Sequence, residues 1–230
     1  MRWMRPYTLG LGLVLAFAAA GCGDDNSDKS KTTASSHKGT YTAADLKAFV
    51  MTEADLPSGY HRQSLRSSSS PDTCLAINGN PAATERLKAT YVALGFKACA
   101  GAGFKKQVEQ EISKNNRPAS LSILVRDEAS ASNALGPLRQ GLLKSFSTTG
   151  TAGQFAPHSL PAPTGLGDEA AKGITLTGSL GPAIGDTTFY IYVWRRGNVV
   201  SWIGSSDVLG DFDESGTLAL ARKIDERGAS

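Results

Sequence analysis

The sequence predicts an α+β fold: a twisted, mainly antiparallel sheet with helices packed on it, forming a single domain behind a signal peptide and a tether. Two segments of strand-like composition, Thr187–Arg195 and Val199–Ser205, flank the turn sequence Arg196-Gly197-Asn198, which is typical of a β-hairpin. Segments with apolar residues at helical spacing lie before and after this hairpin. Both faces of the hairpin are apolar, so we expect other elements to cover the sheet on both sides.

Residues 1–21 have the layout of a secretory signal peptide. Arg2 and Arg5 precede an apolar run, Leu9–Ala20, that ends in small residues. A membrane-spanning helix needs about 20 apolar residues, so this run is too short to span a bilayer comfortably. We therefore expect the chain to be exported and residues 1–21 to be removed.

The end of this segment, Ala19-Ala20-Gly21-Cys22, resembles the lipobox of bacterial lipoproteins. The resemblance implies that the Cys22 thiol receives a diacylglyceryl group and that Cys22 becomes the first residue of the mature chain. An ordinary secretory cleavage site, with Cys22 incidental, is the alternative, because Ala19 stands where the lipobox usually carries Leu. We expect a lipoprotein that is anchored to the extracytoplasmic face of the cell membrane through acylated Cys22. A cysteine that carries several acyl chains is a stable anchor, whereas a single acyl chain binds a membrane only reversibly.

A polar tether separates this cysteine from the domain. Residues 22–40 comprise Cys22 and a stretch with no aliphatic side chain larger than alanine, which cannot form a core. The extracytoplasmic domain is predicted to span residues 41–230. After Arg2 and Arg5 leave with the signal peptide, 22 basic and 21 acidic residues remain, so the chain lacks the charge typical of nucleic-acid binding.

The two other cysteines predict a disulfide. With Cys22 acylated, Cys74 and Cys99 are an even pair in an oxidising compartment. Two free thiols are the alternative. A metal site is disfavoured, because neither cysteine has a CxxC partner or a nearby histidine.

The first part of the domain combines short helices with one strand. Capping-box sequences and apolar residues at helical spacing predict short helices that end before Pro57, and Asn80-Pro81 is a typical helix start. Between the short helices and this helix start, serines and a proline mark a loop. In chain order we predict a helix after Thr42–Asp45, a strand Tyr60–Leu65, a loop Arg66–Asp72 and a helix from Asn80 to Leu94.

The middle of the chain continues with strands and a long helix. Alternation of Leu121, Ile123 and Val125 predicts a strand, and apolar residues at helical spacing follow Asp127. Proline removes a backbone donor, so Gly136-Pro137 must kink or split that helix. In chain order we predict strands Phe104–Ile112 and Ala119–Arg126, the helix from Asp127, a connector Ser147–Thr164 and a strand near Gly173–Thr177.

The hairpin has two apolar faces, and one of them is rich in aromatic residues. Tyr190, Tyr192 and Trp194 form a stripe that suits recognition of peptides, glycans or lipid tails. Burial beneath a second helical layer is the alternative. One face is predicted to contain Phe189, Ile191, Val193, Val200 and Trp202, and the other Tyr190, Tyr192, Trp194, Val199 and Ile203. A final helix is predicted over Asp213–Glu226.

No catalytic or metal-binding motif of adequate spacing is present. The sequence contains no GxSxG, HExxH, P-loop or GxGxxG pattern. The histidines, His37, His61 and His158, fall in the predicted tether, a strand edge and a loop. The stretch from Asp211 imitates a calcium loop, but Arg222 occupies the position that needs a bidentate glutamate. We therefore expect no enzymatic activity, no metal and no cofactor.

Four short motifs occur in an order that resembles actinobacterial surface lipoproteins: Asp55–Gly59, Leu166–Ala170, Arg195–Val200 and Ala221–Ile224. These proteins are similar to the extracytoplasmic sensor domain of mycobacterial receptor-type Ser/Thr kinases, and their folds are often related to the PsbP/Mog1 group. The resemblance covers roughly Tyr41–Gly228. It implies a twisted antiparallel sheet with helices on it, and binding without catalysis. The kinase domains carry two disulfides, whereas this chain has cysteines for one.

We therefore expect a lipid-anchored cell-envelope protein that is a non-enzymatic binding or sensor-like module for a small ligand or an envelope partner. A carrier of lipids or other apolar molecules is one alternative, and it requires a cavity between sheet and helices. An envelope hydrolase is the other. It requires His61 or His158 within hydrogen-bond reach of a serine and a carboxylate in one cleft.

Overall fold

A computed structural model of the chain describes residues 39–75, 81–106, 118–148, 155–179, 185–208 and 210–230. The predicted signal peptide, Cys22 and the tether up to residue 38 lie outside the described residues. The helices are α1 (Pro71–Cys74), α2 (Pro81–Ala93), α3 (Glu128–Thr148) and α4 (Glu214–Ala229), with 3-10 helices at Asp45–Phe49 and Glu53–Asp55. The strands are β1 (Tyr60–Ser68), β2 (Ala98–Lys106), β3 (Ala119–Leu124), β4 (Ala156–Ser159), β5 (Glu169–Ala170), β6 (Ile174–Ser179), β7 (Asp186–Arg196) and β8 (Val199–Ser206).

These strands form one eight-stranded sheet in which every described pairing is antiparallel. The order is β1-β2-β3-β8-β7-β6-β4, and the two-residue β5 pairs with β7 beyond the end of β6. An antiparallel sheet with helices on it is the fold class that the sequence predicts, and the structure confirms it.

The central hairpin of β7 and β8 turns where the sequence places the turn. Gly197 has φ of +53°, a left-handed conformation that glycine adopts without strain, and Arg196 pairs with Val199 across the turn. The two predicted faces are also correct. Tyr192, Trp194, Val199 and Ile203 belong to one buried core, and Ile191, Val193 and Val200 belong to the other.

Helices cover both faces of the sheet. On one face, α4 and the 3-10 helices bury the core that contains Phe49, Trp194 and Leu220. On the other face, α1, α2 and α3 bury the core that contains Tyr91, Leu138 and Ile191. The alternation of side chains along β7 therefore supplies apolar surface to two separate layers. No helix among the described residues combines the length and the apolarity needed to cross a bilayer.

A disulfide joins α1 to the sheet. Cys74 in α1 and Cys99 in β2 are bonded, as the sequence predicts, and both residues lie in the same buried core as Leu87 and Tyr91. The bond closes a loop with a sequence separation of 25 residues. By the chain-entropy estimate, a loop of this length stabilises the fold by about 3–4 kcal/mol.

The first two strands differ from the prediction. β1 continues to Ser68, through residues predicted as a loop, and β2 begins at Ala98 instead of Phe104. The serines of β1 and the small residues of β2 have low strand propensity, so neither stretch has a strand signature of its own. The ladder between them, from Tyr60↔Lys106 to Ser68↔Cys99, forms because β3 templates β2 from its other side. The predicted continuation to Ile112 lies outside the described residues.

Three further elements correct the prediction. The helix after Thr42 is a single 3-10 helix of five residues, Asp45–Phe49. α3 runs through Pro137 as one helix, so the proline does not split it, and the flanking residues Ala134 and Leu138 are buried in the core. The connector Ser147–Thr164 contains β4, which pairs with β6 although its side chains are exposed.

Candidate functional site

The aromatic stripe predicted as a ligand platform is largely buried. Trp194 exposes 0% of its surface and Tyr192 exposes 2%, because α4 packs over this face of β7. Burial raises the pKa of the Tyr192 hydroxyl to about 12. Tyr190 remains partly exposed at the far end of the stripe. The prediction of a platform of three rings open to a ligand is therefore wrong. Tyr192 and Trp194 are core residues beneath the second helical layer.

Trp194 instead belongs to a buried polar cluster that is centred on Asp225 of α4. The indole Nε1 of Trp194 donates to Asp225 Oδ1 at 3.1 Å, and Arg196 Nε donates to the same oxygen at 2.8 Å. Arg196 Nη2 and the backbone N–H of Gly167 donate to the other oxygen, Oδ2. Asp225 is 2% exposed, and Arg196 is 7% exposed. Four donors compensate the carboxylate for its loss of water.

The loop Leu166–Ala170 closes this cluster against the hairpin. Gly167 has φ of +65°, and a Cβ on it would overlap the carbonyl oxygen of Arg195. The next residue, Asp168, donates its N–H to that carbonyl at 2.9 Å and accepts from the N–H of Gly197 at 2.7 Å. The sequence Gly167-Asp168 therefore allows this loop to approach the hairpin turn closely and to form hydrogen bonds with it.

Glu169 extends the same contact to α3. Its Oε2 accepts from Arg195 Nε at 3.0 Å and from the Ser132 hydroxyl at 2.7 Å. These two donors hold the pKa of Glu169 below its usual range. Both arginines of β7 are thus paired with acids of the loop or of α4.

Asn198, at the other side of the turn, fastens the start of the domain. Its side-chain oxygen accepts from Tyr41 N at 2.7 Å, and its Nδ2 donates to Tyr41 O at 3.2 Å and Val125 O at 3.3 Å. Val125 N donates to the Asn198 carbonyl at 3.0 Å. The chain therefore enters the domain at the hairpin turn.

A second ion-pair site involves the Asp55 motif and the end of α4. Arg227 Nη1 donates to both oxygens of Asp55 at 2.8 Å, while Nε and Nη2 donate to the carbonyls of Ala48 and Val50. Burial of Asp55 acts to raise its pKa, but the hydrogen bonds from Arg227 and Thr52 outweigh burial and lower it. This Arg227 fork locks both 3-10 helices to α4.

All four sequence motifs therefore contribute to internal contacts. Arg196 pairs with Asp168 and with Asp225, which directly follows the α4 motif, at the β7–β8 turn. Asp55 forms its separate ion pairs with Lys223 and Arg227 of α4. Both sets of polar contacts join different layers of the fold. The sequence singled these residues out, but the spacing of motifs along a chain does not show that their side chains pair in space.

The predicted histidines do not meet. His61 lies on β1 and His158 on β4, which are the two opposite edges of the sheet, and both are exposed. His37 lies outside the described residues. No group of three His, Cys, Asp or Glu residues able to hold a metal ion occurs in the described part of the chain. Asp213, from the calcium-like stretch, caps α4 by accepting from Gly216 N at 2.7 Å.

Sequence reasoning missed a row of buried serines at the centre of the sheet. Ser122 Oγ donates to Phe49 O at 2.8 Å and lies 2.8 Å from Ser201 Oγ, and Ser120 Oγ accepts from Met51 N at 2.9 Å. These hydroxyls satisfy the backbone around the first 3-10 helix where it crosses the sheet. The only sequence signal was alternation of serine with Leu121 and Ile123, which is also the signature of a solvent-facing strand.

No protein-family model and no curated protein matches this chain. Among solved structures, the extracellular domain of PknH from Mycobacterium tuberculosis is similar, with a TM-score of 0.55 and 10% sequence identity. The match covers 82% of this chain and 96% of that domain. At this identity the likeness establishes a shared fold, and it agrees with the resemblance to kinase extracytoplasmic domains that the sequence motifs indicate.

Proposed function

We propose that this chain is a lipid-anchored extracytoplasmic protein whose globular domain is a non-enzymatic, sensor-like binding module. The observation that carries the proposal is the fold, which is shared with the extracellular domain of a receptor kinase across most of both chains. The signal-peptide pattern of residues 1–21 and the lipobox-like cysteine at position 22 supply the anchor.

The disulfide supports an extracytoplasmic location. Cys74 and Cys99 form a buried bond, and such bonds persist in oxidising compartments. Cys22 is then the single cysteine left over, which suits a residue consumed by lipidation. The same arrangement argues against Cys22 as a structural thiol of the domain.

The distribution of histidines supports a non-enzymatic role. A hydrolase of the Ser-His-Asp type needs a histidine between a serine and a carboxylate in one cleft. His61 and His158 lie on opposite edge strands, and neither has a hydrogen bond to a serine or a carboxylate among the described residues. The acids of the domain centre, Asp55 and Asp225, are occupied by arginines.

Metabolic labelling with a palmitate analogue tests the anchor. Wild-type chain should be labelled and sediment with membranes, whereas Cys22→Ser should be unlabelled. The matched control is the double variant Cys74→Ser/Cys99→Ser, which loses the disulfide but keeps Cys22 and should keep the label. Label that survives in Cys22→Ser would place the acyl group elsewhere and refute the anchor. Native mass spectrometry of the detergent-extracted chain then tests binding, and a co-purifying lipid would favour the carrier alternative.

A further inference from the structure

The β1 strand is an exposed edge of the sheet. It pairs with β2, and among the described strands nothing pairs with its outer side. Seven consecutive residues, His61–Ser67, are exposed, so this strand lacks a covered face. Leu65, in the middle, exposes 63% of its surface. Proteins usually cover or shorten such an edge, since its free backbone groups accept another strand.

The register shows which backbone groups point outward. Phe104 N donates to the carbonyl of Pro118, the residue before β3, and so points away from β1. The direction alternates along β2, so the backbone groups of Ala102 and Ala100 also point away from β1. Their partners on β1 are Leu65 and Ser67. The N–H and C=O groups of these two residues therefore face away from the sheet, where an added strand would meet them.

One outward group of β1 already binds a carboxylate. Arg62 pairs with Phe104, so its N–H also points outward, and it donates to Glu53 Oε1 at 2.9 Å. A bulge follows between Arg62 and Ser64. The glutamate occupies the start of the edge, and no described strand pairs with the stretch Gln63–Ser67 beyond it.

The edge is basic. β1 and β2 together contain Arg62, Arg66, Lys105 and Lys106 and no acidic residue. Lys106 pairs with Asp211, but none of the described residues forms an ion pair with Arg62, Arg66 or Lys105. The mature chain as a whole is close to neutral, so this concentration of uncompensated positive charge is local.

These cations lie on both faces of the strand. Arg62 is opposite Phe104, which packs in the α4 core, whereas Arg66 is opposite Gly101, on the face that Cys99 shares with α2 and α3. An extended peptide also projects side chains to both faces, whereas a membrane surface meets only one. A second copy of this edge would bring like charges together, which disfavours self-pairing.

We propose that the Gln63–Ser67 edge binds an extended, acid-rich segment of an envelope protein by β-strand addition. Backbone groups of Leu65 and Ser67 would pair with the incoming strand, and Arg62, Arg66 and Lys105 would select its carboxylates. The proposal rests on the binding role inferred above and names the surface that performs it. Peptide binding at this edge does not require acylation of Cys22, so the palmitate-labelling test and the peptide-binding test can fail separately.

Fluorescence anisotropy with a labelled peptide of alternating Glu and Val tests this surface on the mature, detergent-extracted chain. Leu65→Pro removes an outward N–H, a change that edge strands tolerate, and should weaken binding by about tenfold or more. Arg66→Glu should weaken binding and flatten its salt dependence. The matched control is Lys47→Glu, an exposed cation on a 3-10 helix. It should bind as wild type, and a peptide of alternating Lys and Val should not bind.

Hydrogen exchange supplies a second readout that does not depend on the variants folding. Bound peptide should slow exchange of the Leu65 and Ser67 amides in the wild-type chain. Three results would overturn the proposal: no binding of the acidic peptide at about 1 mM, unchanged exchange at both amides, or unchanged affinity in a folded Leu65→Pro variant. Binding of phosphatidylglycerol vesicles that Arg66→Glu abolishes and Leu65→Pro leaves intact would also refute it, by showing a membrane-surface site.

Discussion

Arg196 of β7 and Asp225 of α4 form an ion pair inside the domain, with side chains that are only 8% and 2% exposed. Arg196 Nε lies 2.8 Å from Asp225 Oδ1. The aspartate raises the pKa of the guanidinium further above its already high value, so the arginine is charged at every pH at which the protein folds. This pair ties the central hairpin to the last helix, because the same carboxylate also accepts from Trp194 and from the loop at Gly167.

Removing the acid of this pair should be strongly destabilising. Asp225→Ala leaves the buried Arg196 charge with only the more distant carboxylate of Asp168, 3.7 Å away. Removing one partner of a buried ion pair costs about 3–5 kcal/mol. Urea unfolding measures the loss. The control is Glu226→Ala, the exposed neighbour, for which we expect a change within about 0.5 kcal/mol. A loss for Asp225→Ala as small as that of the control would show that the pair does not hold the layers together.

The Asp55–Arg227 contact predicts a pH dependence of stability. Hydrogen bonds hold the pKa of folded Asp55 below its ordinary value of 3.8, despite the opposing effect of burial. The folded state therefore binds the Asp55 proton less readily than the unfolded state does, and the stabilisation is present above about pH 4 and lost as the pH falls through the folded pKa.

Wild type and Asp55→Asn should accordingly differ in stability at pH 7 and converge below pH 3.8. Thermal unfolding across this range measures the difference, with the exposed Glu226→Gln as a variant that should show a smaller change with pH. A gap between wild type and Asp55→Asn that widens in acid would contradict the assigned sign.

Two glycines provide a matched pair for backbone strain. Gly167 has φ of +65° and no room for a Cβ beside the Arg195 carbonyl, so Gly167→Ala should destabilise by more than about 1 kcal/mol. Gly136, in α3, has no atom within 4 Å of an added Cβ, and Gly136→Ala should stabilise by about 0.5–1 kcal/mol. Differential scanning calorimetry compares the two. Equal effects would mean that the loop at Gly167 tolerates a side chain.

Tyr91 and Tyr60 predict opposite effects of removing one hydroxyl. The buried Tyr91 hydroxyl has no hydrogen-bond partner among the described residues, whereas the Tyr60 hydroxyl donates to Asp211 Oδ2 at 2.9 Å. Tyr91→Phe should leave stability unchanged or raise it by about 1 kcal/mol, and Tyr60→Phe should lower it by about 1–2 kcal/mol. Urea midpoints measure both. A clear loss in Tyr91→Phe would indicate that a partner satisfies this hydroxyl in solution.

The hairpin and the long helices could be predicted because their signals are local. Asn198 after Gly197 marks a turn, alternation from Phe189 to Trp194 marks a strand with two buried faces, and helical spacing marks α4. The disulfide could be predicted by counting cysteines. Each of these inferences needs only neighbours along the chain.

The edges of the sheet and the role of the motifs could not be predicted in the same way. The first part of β2, Ala98–Gly103, is made of small residues, and it is extended because β1 and β3 pair with it. Trp194 is a residue type that is common in binding sites, but whether its side chain is exposed or buried depends on where α4 packs. Asp225 was not singled out at all, since one acid in an amphipathic helix has no signature that separates a buried position from an exposed one.

The most direct test of the central proposal is mass spectrometry of the N-terminal peptide from the mature protein. We predict that the mature chain begins at Cys22, carries a diacylglyceryl thioether on that residue, and lacks residues 1–21. A mature chain that retains residues 1–21, or one that begins elsewhere and carries Cys22 as an unmodified thiol, would contradict the lipid-anchored role.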